Sequence, residues 1–392
     1  MITIIDIPAS GSTVQDDLWH IAASDNSGLT DFKYVFDVFI GGEQKIRVKK
    51  YPEPLNGVGY FEAGAVVRNY MTYQWFEPKD MVYCNQPNDS GEMAISYDIR
   101  YGEEYSGVTY LNIASGTTKA YNWLAPLWQR RVINIGDKFG RYLTNRQMTG
   151  SAIASLGNTN RLMLGFYAQY EMFFTVTTYG YDNAQIGVYT DYPASGVTAG
   201  SRFQQLNISP SAINNRLGTI ITEQVRFYYV QMRAPAADTV PIRVDIVCDG
   251  LYTPMPLHFM NAWGMFDTAR FGLVSRLNMD VERKAYTQLD HEFKATSVQY
   301  YDTNNVYRES KINYGNRSNH TYKLTMDAIS DADYEWLAEL IMSPQVYLEL
   351  DGYFYPVTIK GTNYEYSKII NNKMKALEIE IEVNQPRYSH RR

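Results

Sequence analysis

The feature that most constrains the fold is a two-residue alternation of apolar and charged side chains in several short segments. The segment Leu377–Val383 reads LEIEIEV, and Ile242–Ile246 reads IRVDI. Successive side chains of a β-strand point to opposite faces of its sheet, so each segment predicts a strand with one buried and one solvated face. The glutamate face of the first segment is predicted to be strongly acidic, and a basic neighbour could cover it.

Turn residues between such segments predict hairpins. Phe32–Ile40 and Lys45–Tyr51 flank Gly41 and Gly42, and glycine supplies the positive φ angles that a tight turn needs. Strands therefore dominate the predicted secondary structure. Further predicted strands are Met93–Tyr101, Thr109–Ile113, Met172–Thr178, Val225–Met232, Lys284–Tyr301, His320–Met326, Val346–Leu350 and Tyr353–Ile359.

One clear amphipathic helix is predicted near the C-terminus. Ser330 is a natural N-cap, Asp331 and Asp333 place negative charge in the first turn, and Pro344 ends the helix. A shorter helix is predicted within Ala63–Met71. The apolar stripe of the C-terminal helix, at helical spacing, is Tyr334, Leu337, Leu340 and Ile341.

The chain has 392 residues, which at roughly 150 residues per domain suggests two or three domains. We expect a mainly β protein with two β-sandwich-like domains, at residues 1–155 and 156–250, followed by a C-terminal α+β domain at residues 251–392. The end of the first domain is expected to be irregular, because glycines interrupt any long period in Ser115–Asn160.

Composition narrows the functional classes. The formal net charge of −6 is too acidic for a whole-surface nucleic-acid binder, so a nucleic-acid partner is not expected. Two cysteines and five histidines argue against a Cys/His zinc cluster and a disulfide-dense scaffold. The 34 tyrosines favour sheet surfaces that a neighbouring chain covers, because tyrosine combines a large apolar ring with a hydroxyl that tolerates water.

No targeting or membrane segment is predicted. Met1–Ser10 lacks a basic region and contains Asp6 and Pro8, so it does not resemble a signal peptide. The longest uncharged stretch, Gly250–Phe266, contains prolines and polar side chains that lipid would leave unsatisfied.

The usual catalytic motifs are missing from the sequence, so we predict no enzyme, no catalytic residue, no cofactor and no metal. Asp331–Glu335 opens like a calcium loop, but Trp336 and Met342 stand where that loop needs a glycine and a bidentate glutamate, which favours helix capping. Glu103 and Glu104 resemble other surface acids. As neighbours on a strand they point to opposite faces and cannot flank one glycosidic bond.

Two basic segments each have two interpretations. Lys45, Arg47 and Lys49 could contact nucleic acid or an acidic neighbour, but alternating cations are more typical of an edge strand that resists strand addition. The tail Arg387–Arg392 is either mobile or docked on an acidic partner.

The histidines have no metal-ligand spacing, and the tryptophans are interpreted as core anchors or subunit contacts, with a sugar-stacking platform as the alternative. The residues concerned are His20, His258, His291, His320 and His390, and Trp19, Trp75, Trp123, Trp128, Trp263 and Trp336.

Three stretches resemble structural proteins of tailed bacteriophages, particularly those with hosts in the Bacteroides and Flavobacterium group. They are the hairpin segment Phe32–Tyr70, the segment Leu257–Asp267 with its FxNxxGxxD element, and the helix-and-strand segment Asp331–Val357. The resemblance implies a virion component of the tail, baseplate or neck, without catalytic or cofactor residues to carry over.

We therefore expect a non-enzymatic virion structural protein that forms homo-oligomers, such as a ring, and docks other virion proteins. The main alternative is a surface module that binds a host glycan or receptor through exposed aromatic rings. An unrecognised polysaccharide-degrading enzyme is a less favoured alternative. The sequence does not predict which residues form the binding contacts.

Overall fold

The structure is a computed structural model that describes residues 1–15, 17–71, 84–86, 94–124, 141–146, 151–154, 161–168, 173–191, 202–234, 237–247, 252–301, 305–326, 331–361 and 377–388. The protein is mainly β, with multiple sheets and three helices in these segments. The chain divides into two compact units. Unit 1 is Met1–Cys248 with Phe259–Thr268, and unit 2 is Asp249–His258 with Ala269–Arg392.

The N-terminal part of unit 1 contains two sheets. Their strands are β1 (Ile2–Asp6), β2 (Ser12–Thr13), β3 (Trp19–Ser24), β4 (Lys33–Ile40), β5 (Glu43–Lys50), β6 (Gly59–Glu62), β8 (Ala94–Tyr105), β9 (Val108–Ala114) and β10 (Thr118–Tyr121), and helix α1 is Gly64–Arg68. Strand β7 (Cys84–Gln86) pairs with a later strand in another sheet. One sheet has the order β1-β3-β6. The other has the order β2-β10-β8-β4-β5, and β9 also pairs with β8.

Both N-terminal sheets contribute to one hydrophobic cluster. Tyr34, Phe36 and Val38, on one face of β4, are buried together with Phe61 of β6 and Tyr101 of β8. Fully buried aromatic rings of this size supply much of the hydrophobic free energy of a core. The opposite face of β4 is buried as well, through Val35 and Asp37, so this strand lies in the interior on both sides.

The rest of unit 1 contains two more sheets and a second cluster. Its elements are β11 (Arg141–Tyr142), β12 (Ser151–Ala154), β13 (Met163–Ala168), β14 (Phe173–Gly180), β15 (Gln185–Asp191), β16 (Arg202–Asn207), α2 (Pro210–Leu217), β17 (Val225–Ala234), β18 (Ala237–Asp238) and β19 (Ile242–Ile246). One sheet has the order β11-β13-β16-β7, and the other β12-β19-β17-β14-β15 with β18 on β17. The cluster contains Phe166 and Leu206 of the first sheet and Phe174, Tyr228 and Val244 of the second.

The C-terminal elements form a large sheet and one long helix. They are β20 (Met255–Met260), β21 (Phe266–Phe271), β22 (Arg276–Thr287), β23 (Glu292–Lys294), β24 (Ser297–Gln299), β25 (Lys311–Thr325), α3 (Asp331–Met342), β26 (Val346–Leu350), β27 (Tyr353–Lys360), β28 (Glu378–Val383) and β29 (Arg387–Tyr388). The sheet has the order β21-β20-β26-β27-β28-β25-β22, with β29 on β25, and β23 pairs separately with β24.

Most predicted elements are confirmed. The β4–β5 hairpin turns at Gly41 and Gly42, which have φ angles of 62° and 81°. Helix α3 begins at Asp331 and ends before Pro344, whereas its predicted cap, Ser330, lies outside the described residues. The stretch Ser115–Asn160, expected to be irregular, contains β10, β11 and β12.

The mainly β class is confirmed, and the three predicted domains stay predictions. Tyr142 and Ala154 precede the predicted boundary after residue 155, yet both belong to the second hydrophobic cluster of unit 1.

Candidate assembly interface

A long β-hairpin arm carries many exposed apolar side chains. Strands β22 and β25 pair from Arg276 opposite Lys323 to Thr287 opposite Lys311, and we call residues 276–325 the arm. On β25, only residues 317–325 pair with a third strand, β28 or β29. The outer half of the arm is therefore a two-stranded ribbon in the described chain. An isolated two-stranded hairpin is marginally stable in water, so a covering partner would stabilise it.

The tip of the arm is ordered by backbone hydrogen bonds while its large side chains face solvent. The Gln288 amide donates to the Ser310 carbonyl at 2.9 Å, and the Arg308 amide donates to the Tyr300 carbonyl at 2.8 Å. Phe293 and Tyr307 are nevertheless among the exposed apolar side chains. Exposed clusters of this kind mark interaction surfaces more often than isolated exposed residues do.

The apolar face of the C-terminal sheet continues onto its edge without cover. One row of residues crosses four neighbouring strands of this sheet. From the edge inward it contains Leu277 of β22, Tyr322 of β25, Ile381 of β28 and Ile359 of β27. Ile381 is fully buried, whereas Leu277 is 53% exposed. Met279 and Val281 share the face of Leu277 on β22. We call these three residues of β22 the apolar stripe.

The opposite face of the same strands carries alternating charge. Arg276 of β22 is opposite Lys323, Lys323 is opposite Glu380, and Glu380 is opposite Lys360. Glu380 therefore has a lysine on each side, while Arg276 has only a like charge beside it. Like charges directly opposite each other on neighbouring strands are destabilising.

The predicted acidic face of β28 is thus partly neutralised within the chain. The Lys360 ammonium lies 3.0 Å from the Glu382 carboxylate, and the side-chain hydrogen bond to this carboxylate raises the lysine pKa. Glu380 and Glu382 therefore have lysines of the same chain beside them, whereas Glu378 is opposite Thr325.

Two edge strands of the protein differ in how they are protected. Strand β5 ends its sheet and is rich in lysine and arginine, as the favoured interpretation of that segment predicted. Strand β22 ends the C-terminal sheet and presents the apolar stripe instead. Charged edge strands discourage pairing with another chain, and exposed apolar edges permit it.

The basic residues of β5 pair with acids of the same chain. Arg47 binds the buried Asp37 carboxylate at 2.7 Å, and Lys49 lies 2.5 Å from Glu104. Lys45 pairs with Glu43 at 2.5 Å. These ion pairs support the structural interpretation of the cluster over a nucleic-acid contact.

The expectation that Glu103 is a surface acid is wrong. Its side chain is buried and accepts hydrogen bonds from Ser24 Oγ at 2.7 Å and Asn26 Nδ2 at 2.9 Å. Glu104 binds Lys33 and Lys49 instead, and the side-chain hydrogen bond from Lys49 lowers the Glu104 pKa. The composition of this segment did not reveal which of the two acids is buried.

Asp331–Glu335 lies in the first turns of α3, whereas the capping interpretation depends on Ser330 and stays a prediction. In the part of the chain that the structure describes, no group of three or more His, Cys, Asp or Glu side chains could hold a metal ion.

Two histidines and two tryptophans are buried and contact other buried side chains. His20 is buried between the hydroxyls of Tyr101 and Tyr97, and His258 lies 2.9 Å from the buried Glu349 carboxylate. Trp123 stacks on Trp263 with ring centroids 5.0 Å apart, and both rings are buried. Core roles fit these residues.

Some predicted features cannot be compared with the fold. Trp75, Trp128 and His390 lie outside the described residues, as does the end of the basic tail. At the start of that tail, Arg387 is opposite Ser318 of β25.

The arm is the feature that sequence reasoning missed. Strands were predicted only at Lys284–Tyr301 and His320–Met326, whereas β22 begins at Arg276 and β25 at Lys311. The segment 276–282 reads RLNMDVE, and its alternation of apolar and polar residues is the signal that would have found β22.

Searches against protein-family models and against curated proteins found no match for this chain. Among the described helices, none is long and apolar enough to cross a membrane.

Proposed function

We propose that this chain is a non-enzymatic structural protein of a bacteriophage virion, in the tail, baseplate or neck. In this role it forms homo-oligomers and docks other virion proteins. The observation that carries the proposal is the arm, whose ribbon exposes apolar side chains on an otherwise hydrogen-bonded framework. The resemblance of Phe32–Tyr70, Leu257–Asp267 and Asp331–Val357 to phage structural proteins supports the same role.

The organisation of the chain fits a spacer that carries interaction surfaces. Two pairs of sheets each share a hydrophobic cluster in unit 1, and we propose that they are the two predicted β-sandwich-like modules, followed by an α+β module. Each of these two modules has its own hydrophobic cluster, so binding need not be coupled to folding.

Particle incorporation tests this proposal directly. A tagged full-length chain is expressed during infection by the encoding phage, and purified particles are probed for the tag. The double variant Phe293→Ser and Tyr307→Ser removes two exposed rings from the arm tip and is expected to reduce incorporation at least ten-fold. Tyr181→Ser, at an exposed turn of unit 1, is the matched control and is expected to incorporate normally.

Two outcomes would overturn the proposal. One is the absence of the wild-type chain from purified particles. The other is normal incorporation of the tip variant, which would remove the arm from the docking role. Circular dichroism of each purified variant shows that the fold is retained.

A second candidate function, binding of a host-surface glycan, is favoured by an aromatic group in unit 1. Tyr179 stacks on Phe227 with centroids 4.9 Å apart, and Tyr229 meets both rings edge-on. The Arg243 guanidinium lies 4.0 Å from the Phe227 ring centre and is 2.7 Å from Asp245. Phe227 is buried and Tyr179 and Tyr229 are half-buried, so the two tyrosines are the rings of this group that a sugar could contact.

A glycan array with the purified full-length chain distinguishes the two functions. Saturable binding that Tyr179→Ala abolishes, and that the arm-tip variant retains, would support the glycan-binding role. Absence of saturable binding would rule it out for the glycans tested.

A further inference from the structure

The free edge of β22 has an unusual combination of properties. In the described residues, its first seven positions are exposed and form no side-chain hydrogen bond or ion pair, and no strand pairs with the outer edge. The strand has no proline, and its only register shift lies further along, between Lys284 and Ala285. Unpaired backbone groups along such an edge are a template for strand addition.

The sequence of this edge is complementary to itself. When a second copy is placed antiparallel with Met279 opposite Met279, Leu277 is opposite Val281 and Arg276 is opposite Glu282. Asn278 is then opposite Asp280, where its amide can donate to the carboxylate. Because directly opposite residues share a face, the two apolar stripes join into one apolar surface, and the ion pairs form on the other face.

We propose that two copies of this chain pair antiparallel through β22, around a two-fold axis at Met279, so that the two C-terminal sheets become one. The contact is self-complementary, as a two-fold interface requires. This inference rests on the proposed assembly role, and it specifies the contact through which the chain forms oligomers.

Electrostatics within the chain favours this pairing. Arg276 is opposite Lys323 on its inner side, so the residue directly opposite it within the chain carries a like charge. In the pair, Glu282 of the second copy lies beside Arg276 on its outer side. The same Glu282 is opposite Arg317 within its own chain, so a carboxylate is placed between two guanidinium groups.

The neighbouring registers are less favourable. Centring on Asp280 places that carboxylate opposite its own copy and Arg276 opposite Lys284. Centring on Val281 places Asp280 opposite Glu282. Centring on Asn278 avoids like charges but pairs only Arg276–Asp280, and it leaves Val281 opposite a residue that precedes the strand. Shifting the register by an odd number of residues would place the apolar stripe of one copy on the charged face of the other.

Sedimentation velocity of the purified full-length chain tests whether this dimer forms. Wild type is expected to dimerise, and Met279→Lys is expected to weaken dimerisation at least ten-fold because it places two ammonium groups at the axis. Met279 is 61% exposed, so its replacement leaves the fold intact. Val188→Lys is the matched control, an exposed apolar position on another edge strand, β15, and is expected to dimerise like wild type.

Charge reversal tests the ion pairs. Arg276→Glu and Glu282→Arg are each expected to weaken self-association, because each variant brings like charges together twice. An equimolar mixture of the two variants restores both attractive pairs and is expected to form a heterodimer. Failure of the mixture to associate better than either variant alone would overturn the register.

Disulfide trapping gives a readout that does not depend on affinity. Opposite Cα atoms of antiparallel strands are about 4.5–5.5 Å apart, within the range a disulfide can bridge. Met279→Cys is expected to form an intermolecular disulfide between the two 279 positions, whereas Asn278→Cys is expected not to cross-link. Cross-linking of Asn278→Cys alone would replace the proposed register with the one centred on Asn278.

The failure of this pairing is distinguishable from the failure of the proposed function. A wild-type chain that stays monomeric in solution, or a Met279→Lys chain that dimerises normally, overturns the β22 pairing. Incorporation into particles, which is judged with the arm-tip variants, is measured separately.

Discussion

Asp37 and Arg47 form a two-pronged ion pair across the β4–β5 hairpin. Arg47 Nε donates to Asp37 Oδ1 at 2.7 Å, and Nη2 donates to Oδ2 at 2.8 Å, while the Asp37 side chain is fully buried. A buried carboxylate is costly unless its oxygens are paired. Arg47, on the edge strand β5, therefore stabilises the hairpin by pairing with the buried Asp37 of β4.

Replacing Arg47 by alanine should leave the Asp37 carboxylate buried without its cation. We expect Arg47→Ala to lower the free energy of unfolding by about 2–3 kcal/mol, less than the roughly 3–5 kcal/mol of a fully buried pair, because Arg47 is partly exposed. Urea denaturation measures the change. Lys50→Ala, an exposed cation at the end of β5, is the control and should change stability by less than about 0.5 kcal/mol. Equal effects of the two variants would contradict this role of Arg47.

His20 makes the stability of the N-terminal cluster depend on pH. The side chain is fully buried, with Nδ1 2.6 Å from the Tyr101 hydroxyl and Nε2 3.4 Å from the Tyr97 hydroxyl. Burial lowers the His20 pKa from its ordinary value of 6.5 to about 4, and burial also raises the pKa of both tyrosines. All three groups are therefore neutral in the folded protein at pH 7.

The unfolded chain binds a proton at His20 more readily than the folded chain does. Stability should therefore fall as the pH drops from about 6.5 towards 4, and the loss between pH 7 and pH 5 should be about 2 kcal/mol from this residue. His20→Gln keeps a donor and an acceptor but cannot titrate, so its pH dependence should be smaller by that amount in urea titrations. His291→Gln, at the arm tip, is the control. An unchanged pH dependence in His20→Gln would contradict the assignment.

The strands that the sequence predicted best are those with one solvent-exposed face. Leu377–Val383 and Ile242–Ile246 alternate because each has solvent on one side, so the period of two is visible. Helix α3 was also predictable, because its first-turn acids, its apolar spacing and the proline beyond its end are all local signals.

Pairing between distant strands could not be predicted from local signals. The arm depends on Arg276 being opposite Lys323, a relationship between segments separated by the whole tip, and no local propensity specifies it. The burial of Glu103 likewise depends on Ser24 and Asn26, which lie far from it in the sequence. The sequence therefore predicted a β-surface for neighbouring chains, but it did not predict where the candidate interface lies.

Leu340 and Met342 of α3 provide a matched test of the C-terminal core. Leu340 is fully buried and Met342 is 74% exposed on the same helix. Leu340→Ala should lower the free energy of unfolding by about 2–5 kcal/mol, because it removes buried methyl groups and leaves a cavity. Met342→Ala should change it by less than about 0.5 kcal/mol. If the two variants were equally stable, the helix would not be packed on a core through Leu340.

Gly102 of β8 is required by the close approach of β9. A Cβ atom at this position would lie 2.6 Å from the Tyr110 carbonyl oxygen and 3.3 Å from the Leu111 Cα, so the backbone of β9 would have to move. The register of the two strands shifts at this point, between Tyr101 and Gly102. We expect Gly102→Ala to lower the free energy of unfolding by more than about 2 kcal/mol, through strain and lost strand pairing.

Gly28→Ala is the matched control for this test, because a Cβ there meets nothing within 4 Å. It should be neutral or slightly stabilising, since alanine restricts the unfolded chain more than glycine does. Thermal unfolding of the two variants beside wild type measures the difference. The two substitutions add the same methyl group, so a loss of stability confined to Gly102→Ala can arise only from the folded contact with β9, and equal midpoints would mean that β9 does not lie against this glycine.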